Sequence, residues 1–496
     1  MSMSLEQARL NVQSAANDAV ALVESDDTAS LRQVEESLWP LVMAFGRALV
    51  VLFLLKRTGK PRSAFYEQDG KALVLSGTFS SDVGVLFGKV WWTRPIGRLA
   101  GKLNRIEDLP VDREVGLTGG FSLSVIERIG RLSAQMSFNT ALQMFKRVYG
   151  WAPCSRTQLR MVDALGQLAR PFLEQCPAPD DDGEILIGQV DAGGSPTINS
   201  RELKRRKRKH KSRCKSASNS TTEREKRHQK RRSNPKPRRT TGKKSKNAKM
   251  AVVGIIYTLR RTALGLEGPI NKRIIGTFTS HEELFVWFRA EMDKRGYGTK
   301  KTYFLADGCQ HIWRLQQKYL PDAIACMDWY HIVEKLWIAG KCLHREGSRK
   351  LTEWVNVQKK RLRHSQLDAL LKTLNDALAG IAKTGPGNKG KRKRLGKVIA
   401  HLTNNRERLI YARMRSHGID IGSGAIEGAV RNLVRMRLDG PGRRWGRGRD
   451  ECVLHLRCIL LNEQWEDFVK FAESKAVKLP SKPVPAVAHD AKKKAA

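Results

Sequence analysis

Acidic residues are scarce in this chain. Its 496 residues carry 49 Asp and Glu against 91 Lys and Arg, a formal net charge of +42. A balance this basic points to a polyanionic partner, nucleic acid first, with ribosomal and anionic membrane surfaces as alternatives. Long apolar runs are missing too. The best stretch, Leu38 to Leu55, is interrupted by Pro40 and Arg47 and leaves only Ala48 to Leu55 unbroken, far short of the roughly 20 residues of a spanning helix. No membrane insertion is expected. Instead Val34, Leu38, Leu41, Val42, Phe45 and Leu49 recur at helical spacing, which predicts a buried amphipathic helix. Paired cysteines are absent: the eight Cys are scattered without a CxxC, which argues against a disulfide framework or zinc ribbon and for a reduced cytoplasmic protein. The first 30 residues are polar and acidic, so no signal peptide is expected. Core material is not lacking. An apolar fraction of 41% before 41 glycines are counted fits a folded chain of roughly two to four domains.

The positive charge is concentrated. Between Arg201 and Met250 stand 23 Lys or Arg against Glu202, Glu223 and Glu225, a net of +20. With almost no apolar side chains, residues 199–249 are expected to form a disordered basic loop that binds phosphate without sequence preference. Strand-like runs flank it, EILIGQVDAGGS before and KMAVVGIIYTL and RIIGTFTS after. Next, HEELFVWFRAEMDKRG sets Leu284, Trp287 and Met292 at helical spacing, and TYFLADG ends in Asp307. A helix is expected from Gln310 to Leu320, AIACMD ends in Asp328, and WYHIVEKLWIAG reads as a further helix. Three strands, then strands alternating with helices, predict an α/β domain with a mixed sheet. Around it, residues 1–121 are expected to be helical with a small β element at 71–95. Residues 342–415 should be helical and basic, and 471–496 a disordered tail.

Several side chains are candidates for function. In SFNTALQMFKRVYG, residues Phe138, Leu142, Phe145 and Val148 share one face, and Ser155 is placed to cap a second helix after a short turn. Residues 122–175 thus have the outline of a helix-turn-helix in which Arg156, Gln158 and Arg160 reach a DNA groove; a plain helical hairpin is the alternative. Asp191 and Asp307 each end an apolar strand and precede a small residue. Ligands bind at the carboxyl edge of such sheets, and paired carboxylates there suit Mg²⁺ beside a phosphate. A third acid, Glu427, falls in the first turn of a helix expected over Ala425–Leu438, behind a capping Ser423. Complementation of the helix dipole, or a ladder with Arg431 and Arg435 at four-residue steps, would explain Glu427 without catalysis.

VDAGG around Asp191, FLADGCQHIW around Asp307, DWYHIVEKLW from Asp328 and GSGAIEGAVRNLVRMR around Glu427 follow one another in an order that resembles the DDE transposases of bacterial insertion sequences, the Kra-type elements among them. The resemblance spans roughly residues 122–468. It implies an RNase H-like catalytic domain over 184–341 and 416–470, interrupted by the helical insertion 342–415 and preceded by an N-terminal DNA-binding region. It implies that Asp191, Asp307 and Glu427 are the catalytic, metal-binding triad for two Mg²⁺ or Mn²⁺ ions about 3.5–4 Å apart. Asp328 and His331 match a supporting DxxH pair. Arg431, Arg435, Arg444 and Trp445 fall where such enzymes meet DNA, although an indole packs in a core as readily as it stacks on a base. The implied partners are transposon terminal inverted repeats and target DNA, engaged by a homo-oligomer in a bacterial nucleoid. Many relatives carry a cysteine-pair zinc element near the N-terminus. None is visible here, so no zinc is expected. On the residues alone, a non-catalytic basic DNA- or RNA-binding protein and a nuclease that cuts without joining stay open.

Overall fold

A computed structural model describes residues 3–25, 29–101, 104–198, 205, 208, 248–440, 443–446 and 448–479. The basic loop expected at 199–249 lies almost entirely outside them, as does the chain beyond 479. The described residues divide into two units, one spanning Met1–Phe172 and taking back the segment from Glu463, the other spanning Leu173–Asn462.

In the first unit, α1 (Leu5–Glu24) starts at Ser4, whose hydroxyl accepts from Gln7 N at 3.1 Å. It packs on α2 (Leu31–Thr58), which runs unbroken through Pro40. Strands β1 (Phe65–Gln68), β2 (Lys71–Val85) and β3 (Gly88–Leu99) form an antiparallel sheet, followed by α3 (Pro110–Glu114) and the short strands β4 (Leu117–Thr118) and β5 (Phe121–Ser122). The β element is therefore larger than the small one expected at 71–95. Leu54 of α2 packs with Val83, Val85, Val90, Trp92 and Val111.

The helix is not buried as its spacing predicted. Only Met43, Gly46 and Leu54 are buried, while Trp39, Val42, Leu49 and Phe53 are exposed. Apolar residues surround most of α2, and the β2–β3 hairpin covers one side of it. By length and composition α2 would suffice to cross a membrane, Pro40 and Arg47 notwithstanding.

Three helices follow, α4 (Leu123–Gln135), α5 (Phe138–Tyr149) and α6 (Ser155–Gln175). A last described helix, Trp465–Ser474, returns to this unit. Trp465 Nε1 donates to Glu127 at 2.6 Å, Phe468 meets Phe172 edge-on at 5.4 Å, and Thr118 Oγ1 donates to Val477 O at 2.6 Å. These contacts anchor the chain past residue 471, where a disordered tail was expected to begin.

The second unit is built on a mixed sheet, as expected. Strands β6 (Ile185–Ile198), β7 (Ala248–Thr262) and β8 (Gly265–Thr277) form an antiparallel meander; α7 (His281–Lys294) follows. Strand β9 (Lys301–Ala306) pairs parallel with the other side of β6, and after α8 (Gln310–Tyr319), β10 (Ile324–Met327) pairs parallel with β9. The order is β10-β9-β6-β7-β8. Ile185, Leu186, Ile187, Val190, Tyr303, Phe304 and Leu305 are all buried, the near-continuous apolar pattern of strands covered on both faces. At the entrance to β6, Asp182 accepts from Arg295 at 2.6 and 3.0 Å and from Thr258 at 2.5 Å. Burial opposes ionisation of Asp182, but these donors hold its carboxyl well below the usual range.

Next come α9 (Trp329–Leu343) and the helical insertion α10 (Arg349–Arg363), α11 (Leu367–Gly380), α12 (Asn388–Asn404) and α13 (Tyr411–Ser416). The helix α14 (Gly424–Val430) then runs through a π turn, Arg431–Arg435, into Met436–Leu438. Strand β11 (Trp445–Gly446) pairs parallel with the end of β6, and α15 (Arg449–Leu461) closes the unit.

Candidate active site

Strand register builds most of the site. The β6–β9 pairing ends at Val190 opposite Ala306, and the β9–β10 pairing ends at Ala306 opposite Met327. The next residues on the three strands are Asp191, Asp307 and Asp328. Neighbouring strands lie about 5 Å apart, so one row across the sheet carries three carboxylates. Asp191 does not end its own strand, contrary to expectation: β6 continues to Ile198 on β7 and β11. What ends beside it is β9.

Glu427 reaches this row from above. Helix α14 crosses β6 at Gly193, where a Cβ would stand 2.9 Å from Val430 Cγ1 and 3.1 Å from Val434. Only a glycine lets the helix come so close. Ile426 N donates to Gln189 Oε1 of β6 at 3.2 Å, which fixes the first turn. Ser423 stands at the N-cap position, yet its hydroxyl donates to Glu427 Oε1 at 2.8 Å and does not cap the helix. No ladder forms: among the described residues Glu427 makes no ion pair with Arg431, and Ser423 is its partner.

Asp328 is 4% exposed and fully engaged. One oxygen accepts from His331 N at 2.8 Å and caps α9; the other accepts from Ser423 N at 2.7 Å. It thereby joins the start of α9 to the start of α14. Asp191, Asp307, Asp328, His331, Glu334 and Glu427 share a cleft of about 140 Å³. Glu334 lies one turn beyond the DxxH residues, and nothing in its local sequence marks it as part of the site.

Electrostatics single out Asp191. Burial pushes its carboxyl up, and the charges of Asp307 and Glu427 add to this against the Ala192 N–H, 2.6 Å away, and Arg435. Cys309 N donates to Asp307 Oδ1 at 2.9 Å. Among the described residues none of Asp191, Asp307 and Glu427 forms a salt bridge, and each keeps one oxygen without a donor. In a chain with 91 basic residues, that is the donor set of a hard divalent cation. Among the described residues no three such side chains are already gathered as ligands; what stands here is a shared acidic cleft.

A histidine pair borders it. His331 of α9 and His401 of α12 have ring centroids 5.4 Å apart. Both press on Gly308, where a Cβ would meet His331 Nε2 at 2.8 Å and His401 Cε1 at 2.5 Å. Burial, then Lys335, pushes His331 down; burial, then His331 and Lys335, pushes His401 down to about 4. Both rings are neutral at pH 7. The helical insertion therefore delivers a side chain beside Asp307, which no local pattern around His401 announces.

The expected DNA-contacting residues separate. Arg156, Arg431, Arg435 and Arg444 are exposed and Arg160 is half-buried. Gln158 cannot reach a groove: it is buried, donating to Ser133 Oγ at 3.0 Å and Phe138 O at 2.8 Å, and so pins α6 to α4 and α5. Helix α6 begins at Ser155 itself, with Gln158 N donating to Cys154 O. Trp445 is also buried. Its Nε1 donates to Leu438 O at 2.9 Å and the Arg437 guanidinium lies 4.7 Å from its ring, so it packs the core and presents no face to a base. No protein-family model and no curated protein matches the chain.

Proposed function

We propose that this protein is a metal-dependent enzyme that cleaves and joins DNA, a DDE-type transposase with an RNase H-like core. The observation that carries the reading is the convergence of Asp191, Asp307 and Glu427 on one cleft, none of the three in a salt bridge among the described residues. The sheet supports it: three antiparallel strands β8-β7-β6 continue into the parallel β9 and β10, with Asp191 on β6, Asp307 directly after β9 and Glu427 on the later helix α14. A nucleic-acid substrate agrees with the +42 charge.

Asp191, Asp307 and Glu427 are the residues that would hold Mg²⁺ or Mn²⁺; when bound, such ions polarise a phosphoryl oxygen and supply a water nucleophile at neutral pH. Ser423 orients Glu427, and Asp328 fixes Ser423 and the first turn of α9. Neutral His331 offers a hydrogen bond to a phosphate oxygen beside Asp307. Exposed Arg431, Arg435 and Arg444 hold neighbouring phosphates. Cleavage breaks a phosphodiester and frees a 3′ hydroxyl; in joining, that hydroxyl attacks a target phosphodiester and displaces its 3′ oxygen. No protein nucleophile is required.

The test uses labelled duplex carrying the element's terminal repeats, with the full chain and Mg²⁺. Chelator-sensitive cutting by wild type, absent in Glu427→Gln although binding persists, is expected. Full-rate cutting by Glu427→Gln would sink the reading. Binding without any cutting would leave a nucleic-acid-binding protein, and cutting without joining of pre-cleaved ends a nuclease.

A further inference from the structure

A tyrosine stands in the wall of the acidic cleft. Tyr330 is 58% exposed and lines the cleft beside Asp191, Asp307 and Glu427. Helical geometry sets it apart from its neighbour in DWYH. Trp329 turns inward, 6% exposed, and meets Tyr411 edge-on at 5.0 Å. Tyr330, about 100° further round α9, turns outward.

A lone exposed ring on an open surface needs no explanation, but this one is held in place. Residues 421–423 run past the first turn of α9: Trp329 N donates to Ile421 O at 3.0 Å and Ser423 N to Asp328 Oδ1 at 2.7 Å. Between these two bonds Gly422 lies against the ring, where a Cβ would stand 2.7 Å from Tyr330 Cε2. Only a glycine lets the backbone come so close. The segment backs part of the ring and leaves the rest to the cleft.

The surroundings of the ring define its partner. Among the described residues, Asp191, Asp307, Asp328, Glu334 and Glu427 line the cleft, and no Lys or Arg does. A phosphate entering there is repelled wherever a cation does not screen it. Stacking of a base on an aromatic ring is an uncharged contact, so it holds a strand where ion pairing is not on offer. A base inside a duplex has no free face, and the nucleotide must leave the stack to make that contact. We propose that Tyr330 stacks on an unpaired base next to the reacting phosphate. The cleft then takes a strand with one nucleotide unpaired at that point, not an intact duplex. The inference rests on the nucleic-acid cleavage reading and adds the state of the substrate.

The test has one arm that needs no cleavage. The full chain is irradiated with a single-stranded oligodeoxynucleotide carrying 5-iodouracil, and the crosslinked peptides are identified by mass spectrometry. A crosslink at Tyr330 is expected, and it should be absent in Tyr330→Ala. The second arm compares cutting of the terminal-repeat duplex, fully paired or mismatched at the nucleotide flanking the cut. Tyr330→Ala should cut the paired duplex roughly ten- to a hundredfold more slowly than wild type and regain most of that loss on the mismatched one. Tyr330→Phe, which keeps the ring, should restore both readouts. No crosslink at Tyr330, or a Tyr330→Ala protein with the same fold loss, or none, on both duplexes, would overturn the proposal. A crosslink at Tyr330 with no cutting by wild type would keep the stacking site and overturn the catalytic reading instead.

Discussion

At the scale of single residues, two aspartates, one before β6 and one within it, carry opposite pH signatures. Asp191 is raised in the fold by burial and by neighbouring acids. The native state therefore holds a proton that the unfolded chain has released, and the stability of the metal-free protein falls as pH rises through that window. Asp191→Asn removes the penalty. It is expected to raise the melting temperature at neutral pH by about 2–4 °C while abolishing cleavage; a lowered melting temperature would contradict the electrostatic account. Asp182 is the reverse case. Its depressed carboxyl contributes stability that is present above the usual Asp range and lost as pH falls below it. Asp182→Ala should cost roughly 3–5 kcal/mol because Arg295 is left buried and unpaired, measurable by urea denaturation. In catalysis, Asp307→Asn or Glu427→Gln should lower metal-dependent cleavage by about a thousandfold, on the order of 4 kcal/mol of charge stabilisation. Electrophoretic mobility shifts should show DNA affinity little changed.

At the scale of elements, the approach of α14 to β6 decides whether Glu427 reaches the row of aspartates. Gly193→Val should push Val430 and Val434 away, cost roughly 1–3 kcal/mol of stability, and reduce cleavage more than binding; equal losses of both would show that the contact does not position Glu427. The strands and their acids were legible because each is a local event, an apolar run that stops at a carboxylate. Glu427 was legible as a residue, but its hydroxyl partner was not, since Ser423 could equally have capped the helix. Other positions misled because burial is tertiary. Gln158 and Trp445 are polar or amphipathic side chains whose local patterns fit surface and core alike, and both are buried. The apolar spacing of α2 presumed full burial, whereas α1 and the β2–β3 hairpin cover it only in part and leave Val42, Leu49 and Phe53 more than a third exposed. His401 was silent because its neighbour His331 is distant along the chain and is brought close by the insertion.

At the scale of the whole molecule, charge and chemistry meet at one hairpin. Pro196 pairs with Ala248 across β6 and β7, so the segment between them, holding 22 Lys and Arg, leaves the sheet on the strand that carries Asp191 and re-enters on its neighbour. Replacing Arg201–Lys244 by a short Gly-Ser turn should spare the fold, weaken DNA binding and flatten its salt dependence; an unchanged slope would refute a phosphate-binding role for the segment. The central claim, that Asp191, Asp307 and Glu427 form one cation site, is tested most directly by titrating Mn²⁺ into the full chain and following the free-ion paramagnetic resonance signal. Uptake by wild type, lost or strongly weakened in Asp191→Asn, Asp307→Asn and Glu427→Gln alike, is the predicted result. Undiminished uptake by the three variants would contradict it.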